Sequence, residues 1–351
     1  MNDMKQGEQM WRNLGVEMGY SFPVIAPPAI TIPDASALYA ALAEAKAGDV
    51  LHLGADMGFL TIPARDYGGV TIKGGSAKMI VAKGLSDLTF SGIRLERPSL
   101  KGEDGNTFLM EYSSNCVIED CIIKGGQYGL AVVGGEDNIV RRNFIHDQFH
   151  DSFRVSRKAR NMLIEDNLIL NNLPAEGHAD LLQMFGGKNG TGIPRGITIR
   201  RNVLYSTAVG GGRQGIFITD PNGGEVPNSY SDILVEQNFV QTNNSNTLVL
   251  GFAGLDGSCR VENNTLKGSG NLKVHANVYT ARNVAMQAGN GLPNRDRDFL
   301  YGKAAAAAGT VFKGWAVDVE NMVADKAEPD QGCYELIAHL RAGLPHGMDL
   351  V

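Results

Sequence analysis

Three short runs between positions 146 and 220 hold the residue types from which a proton-transferring site is made. The first, HDQFHDSFRVSRKAR, carries His146, Asp147, His150, Asp151, Arg154, Arg157 and Lys158. The second, PAEGHADLLQMFGG, carries Glu176, His178, Asp180 and Gln183, and the third, GGGRQGIFITD, carries Arg213, Gln214 and Asp220. Histidine titrates near neutral pH and suits general acid and base work, and paired carboxylates split their proton affinities. Three chemistries are open. Asp151 and Asp180 could act as acid and base in glycoside hydrolysis, and a separation of one rung, about 4.8 Å, is closer to the retaining than the inverting geometry. Alternatively, His150 or His178 could serve as base in a β-elimination while Arg154 or Arg213 neutralises a uronate carboxylate. Third, Asp147, Asp151 and Asp180 could ligate calcium; no other cofactor or metal is expected. The candidate catalytic set is therefore His150, Asp151, His178 and Asp180, with Arg154, Gln183, Arg213 and Gln214 expected to bind substrate. The plainer readings are that the aspartates cap turns and that the basic run Arg154 to Arg160 is a solvated face.

What must position these residues is a repeat. An apolar residue, any residue, an apolar residue and two more lead to Asn, then to another apolar residue two positions on. Copies read Ile197, Ile199, Asn202, Leu204; Ile233, Val235, Asn238, Val240; and Cys259, Val261, Asn264, Leu266. Earlier copies centre on Asn143 and Asn167, and the register runs back through Cys121, Ile93 and Gly75 and forward to Leu272, Val274 and Asn277. Period-two alternation means short strands with one buried face, and recurrence every 20 to 35 residues, roughly, means stacked units. The expectation is an all-β chain folded as a single-stranded right-handed parallel β-helix, with Asn at a turn where its tolerance of left-handed backbone is useful.

Charge gives independent support. Two residues before each turn position stand Glu119, Arg141, Glu165, Arg200, Glu236 and Glu262, and the first four alternate in sign. In-register stacking puts them directly above one another, where opposite charges attract. Aligning Phe153 to Val155, Leu182 to Met184 and Phe217 to Thr219 places Asp151 over Asp180 and Arg154 over Gln183. Long insertions at 171–195 and 205–231 would wall a groove beside them.

Composition narrows the rest. The chain has 351 residues, 44 glycines and a formal charge of −6, which argues against a nucleic-acid partner. Apolar runs long enough to span a membrane are lacking. Of the four cysteines, Cys116 and Cys121 occupy core positions of one rung and are expected to be small buried residues. Residues 1–33 read as an arm or connector, 34–285 as the solenoid with a capping helix over Ala35 to Ala47 (Asp34 at its N-cap, Gly48 at its stop), and 286–351 as a mixed C-terminal cap or oligomer contact with a helix near Tyr334 to Arg341.

The run DASALYAALAEAKAGDVLHL at 34–53 resembles the opening of polysaccharide lyases of the chondroitinase B and alginate lyase type, within the pectin-lyase-like β-helix superfamily. That resemblance implies a capping helix before the first rung and a polysaccharide as partner. Lyases of that type use a Lys base and an Arg acid on neighbouring rungs, and no such pair is placed here; phage tailspikes and depolymerases share the architecture. The N-terminal 20 residues lack the apolar core of a signal peptide, which points to a virion, or to the extracellular space after lysis, as the location. The functional expectation is a carbohydrate-directed, phage-borne β-helix that binds a bacterial surface polysaccharide, with its cleavage by β-elimination or hydrolysis as the enzymatic form of that reading. Its rival is a non-catalytic decoration protein of a virion, docked through the N-terminal arm onto other virion proteins. A homotrimer is expected by analogy of fold alone.

Overall fold

The computed structural model describes residues 31–97, 105–173, 177–186, 192–206, 212–219, 230–251, 258–268, 271–275, 277–281, 283–285, 287–288, 299–300, 316–318 and 323–325. Of the expected arm only residues 31–33 are among these, and the helix near 334–341 lies outside them.

Each rung supplies one strand to each of three parallel sheets, so that successive rungs stack along one axis as a right-handed β-helix. Sheet A begins with Val50–His52 and Asp66–Lys73, sheet B with Ser76–Ala77 and Arg94–Arg97, and sheet C with Phe59–Ile62 and Met79–Lys83; each has ten strands among the described residues. The interior is a continuous apolar column because alternate side chains of every strand point inward. Phe153, Val155, Leu182, Met184, Ile216 and Ile218 are the sheet C contribution in the middle rungs, all buried. At roughly 25 cal/mol per Å² of buried apolar surface, this column is the main favourable contribution to folding.

The open N-terminal end is covered by helix α1, Ala35–Glu44, whose Leu38 and Leu42 are buried on the first rung. Asp34 caps it as expected, its carboxylate accepting from Ala37 N at 2.8 Å. The helix stops at Glu44, three residues before the expected end, where Arg65 donates to the carbonyls of Leu42, Ala43 and Ala45 and satisfies the last turn. Strands continue beyond residue 285 to Phe299–Leu300 in sheet B.

The asparagines form a ladder between sheets A and B. Asn143, Asn167, Asn202, Asn238, Asn264 and Asn283 stack so that each side-chain Nδ2 donates to Oδ1 of the next at 2.9–3.0 Å. The same Oδ1 accepts the backbone N–H of the preceding Asn, for example Asn167 N to Asn202 Oδ1 at 3.0 Å. Two expectations are corrected. The left-handed residue of each turn is not the Asn but the residue before it, Asp120, Arg142, Asp166, Arg201, Gln237 and Asn263, all with φ between 52° and 56°. Asn is selected for its amide, which a buried turn needs, rather than for its backbone. The last step of the ladder reaches Asn283, not Asn277, because Leu272 and Val274 belong to sheet C, whose strands alternate like those of sheet A. At the other end Gly75 fills the ladder position with φ 67°, and a Cβ there would lie 2.2 Å from Gly54 O.

Candidate functional site

Sheets A and C both stack charged residues from rung to rung. On sheet A the register stacks Glu119, Arg141, Glu165, Arg200, Glu236 and Glu262 on consecutive strands, as the sign alternation requires. Arg141 and Arg142 both reach Glu119 at 2.8–2.9 Å, and Arg200 and Arg201 both reach Glu165 at 2.6–2.8 Å. These cations are neutralised where they stand, and the ladder is structural.

Sheet C is different. Phe153 pairs with Leu182 and Arg154 with Gln183, which places Asp151 over Asp180 at the entry to consecutive strands. The third strand sits one residue from its expected alignment: Ile216, not Phe217, pairs with Leu182, and Gln214 pairs with Asp180. Ile216 and Ile218 take the inward positions, so Phe217 faces outward and packs edge-on against His178, ring centres 4.7 Å apart.

The two aspartates are buried and the two histidines are not. Asp151 Oδ1 accepts the backbone N–H of Asp180 at 2.9 Å and lies 2.9 Å from His150 Nδ1, with His150 about a quarter exposed. His178, 48% exposed, sets Nδ1 3.2 Å from Oδ2 of Asp180, whose side chain is 0% exposed. That contact has ion-pair separation without hydrogen-bond alignment, so both Asp180 oxygens are buried without a hydrogen bond. Burial, reinforced by the Asp151 charge, raises the Asp180 pKa to about 6, while His178 and His150 oppose the rise. The Asp180 carboxyl in turn holds His178 above the usual histidine value. A ring fixed through Nδ1 leaves Nε2 as the working nitrogen.

Arg154 lies over the Tyr128 ring at 4.2 Å and the Phe185 ring at 4.9 Å, and its Nε stands 3.3 Å from Asp151 Oδ2 without hydrogen-bond alignment. Stacking fixes the guanidinium plane and leaves N–H groups for an incoming anion. Gln183 stands beside it in register.

Arg213 does not take the role expected of it. Its side chain is 0% exposed and donates to the carbonyls of Gln148 at 2.6 Å, Phe149 at 3.0 Å and Leu173 at 3.3 Å, and also to His150 O. A cation wholly committed to backbone carbonyls cannot reach a substrate; it fastens the His146–His150 segment and so positions His150. Burial lowers its pKa to about 10. Gln214, also buried, accepts from Asn246 Nδ2 at 2.6 Å. Nothing in the local sequence separates such an arginine from an exposed one, since the carbonyls it satisfies belong to another rung.

Asp147 turns to the buried His146, Oδ2 to Nδ1 at 3.0 Å, and does not join Asp151 and Asp180. Among the described residues no group of three or more His, Cys, Asp or Glu side chains is arranged to hold a metal ion. Cys116 and Cys121 are buried and free, as expected. Much of the two insertions lies outside the described residues. Among those that are described, no helix is long and apolar enough to cross a membrane.

A family model for the right-handed β-helix region matches residues 67–191. The fold is similar to that of AlyGC, a PL6-family alginate lyase, with a TM-score of 0.51 and 13% identity over 72% of this chain and 38% of that one. The chain thus spans well under half of that lyase. An alginate lyase from Paenibacillus sp. str. FPU-7 gives 0.45 and 15% identity over 78% of this chain and 98% of that one, and the tailspike of E. coli bacteriophage HK620 gives 0.39 and 12% over 72% and 55%. No curated protein sequence matches significantly. Rungs, register and family model agree, and the chain has a right-handed parallel β-helix fold.

Proposed function

We propose that the sheet C face binds a uronate-containing polysaccharide and cleaves it by β-elimination. The observation that carries this reading is the pair of solvent-accessible imidazoles on consecutive rungs, each with Nδ1 set against a buried carboxylate, beside an arginine ion-paired to Asp151 and held over two aromatic rings.

Arg154 faces the uronate carboxylate and draws off its charge, which acidifies the hydrogen on the adjacent ring carbon. His150 Nε2 removes that proton. The electron pair forms the new carbon–carbon double bond, and the bond to the glycosidic oxygen breaks. His178, held toward its protonated form by Asp180, gives its proton to the departing oxygen. Hydrolysis by the two aspartates fits less well, because Asp151 and Asp180 are buried and stand behind the histidines. A spike that only docks has no use for buried carboxylates that orient exposed imidazoles. Whether the chain is displayed on a virion or free in solution, the chemistry asks the same of this face.

Alginate, polygalacturonate and a neutral glucan serve as test polymers. His150→Ala and His178→Ala are expected to lower the rate on the cleaved uronate polymer by about 100-fold or more, with unfolding midpoints near that of the parent. Full activity in either variant would remove that histidine from the mechanism.

A further inference from the structure

The outward column of sheet C continues past the histidines. Through paired strands Arg154 stands in register with Gln183, then Phe217, Val249 and finally Lys273. Four rungs at about 4.8 Å each separate the two cations by roughly 19 Å along the solenoid axis. Lys273 is not a loose surface amine. Its Nζ donates to Asn246 Oδ1 at 2.6 Å, and Asn246 Nδ2 donates to Gln214 Oε1 at 2.6 Å, on the strand next to Asp180. An amide chain thus ties the ammonium to the rung that follows the one carrying Asp180.

The partner matters as much as the fixing. On sheet A the arginines meet carboxylates, whereas Lys273 is held by a neutral amide and, among the described residues, meets no carboxylate. A lysine fixed in place by an amide, in line with Arg154 and on the far side of His178, has the form of an anion subsite.

We propose that Lys273 binds a second acidic group of the same polymer, so that the substrate lies along the solenoid axis across at least the five rungs from Arg154 to Lys273. This rests on the reading of the sheet C face as a uronate-polymer site. It specifies an acidic chain several sugars long, running parallel to the axis, with charge contacted at both ends and His178 between.

The test uses size-graded oligouronates prepared from alginate and polygalacturonate, with binding measured calorimetrically to the full chain carrying His178→Ala, so that nothing is cut. Affinity is expected to rise with length and to step up once an oligomer reaches Lys273. Adding Lys273→Gln should remove that step, about tenfold in affinity, and leave the shortest binding oligomers unchanged, while Lys273→Arg should retain it. Equal loss at every length, or no loss with the longest oligomers, would overturn the subsite and leave the reading of the histidine site standing. No binding of any oligouronate would overturn both.

Discussion

Sheets A and C stack charged and polar residues with the same geometry and to opposite ends. On sheet A Glu119 meets Arg141 and Glu165 meets Arg200 on the rung above, and these charges cancel in pairs. On sheet C the carboxylates Asp151 and Asp180 are buried, and their partners are histidines whose other nitrogen is left over. Stacking that neutralises charge strengthens a solenoid; stacking that buries the acid and exposes the base leaves reactivity at the surface. A site on a β-helix is recognised less by how many charges it has than by which of them remain uncancelled.

The largest effect that sharpens this contrast belongs to neither charged face. Asn202 accepts from Asn167 N and Nδ2 and donates to Ile164 O and Asn238 Oδ1, all in the interior. Asn202→Leu leaves these groups unpaired and should cost about 4 kcal/mol, read as a fall in the urea midpoint at unchanged slope. A cost below about 1 kcal/mol would mean that the amide ladder is ornament and that the apolar core alone sets the rungs.

An intermediate effect should separate the two faces by pH. The Asp180 pKa is raised from 3.8 to about 6 in the folded chain, so folding favours its protonated form. Its stabilising contribution is complete below about pH 4 and is lost as pH rises through about 6. His178, raised above 6.5, acts in the same direction, stabilising below 6.5 and losing that contribution as pH rises through its folded value. Unfolding free energy should therefore fall between pH 4 and 7 in the parent and fall less steeply in Asp180→Asn. Parallel pH profiles for the two proteins would show that the buried carboxyl carries no strain.

The smallest effect is expected on sheet A. Arg141 is one-third exposed, and Arg142 also meets Glu119, so Arg141→Gln should cost at most about 1 kcal/mol, less in high salt, and should leave polymer cleavage unchanged. Loss of cleavage in that variant would erase the distinction between the two faces.

The solenoid was legible because its signals are repeated: Asn202, Asn238 and Asn264 each carry the same neighbours, and the sign alternation of Glu119, Arg141, Glu165 and Arg200 checks the register independently. Strand assignment failed where the alternation is common to all three sheets. Leu272 and Val274 have the same pattern in sheet C that Val235 and Ile233 have in sheet A, and because Ile216 and Phe217 are both apolar, the pattern alone aligns Phe217 with Leu182 as readily as Ile216. At the site, Asp151 over Asp180 followed from counting along the repeat. The burial of Arg213 did not, because it depends on carbonyls of Gln148, Phe149 and Leu173 that come near it only in the folded chain.

The most direct test follows one uronate polymer with two readouts on the same sample, the absorbance of the unsaturated product and the count of new reducing ends. The account predicts that both rise together, one double bond for each chain end, and that both vanish in His178→Ala. Reducing ends without the double bond, or neither product from any uronate polymer, would contradict it.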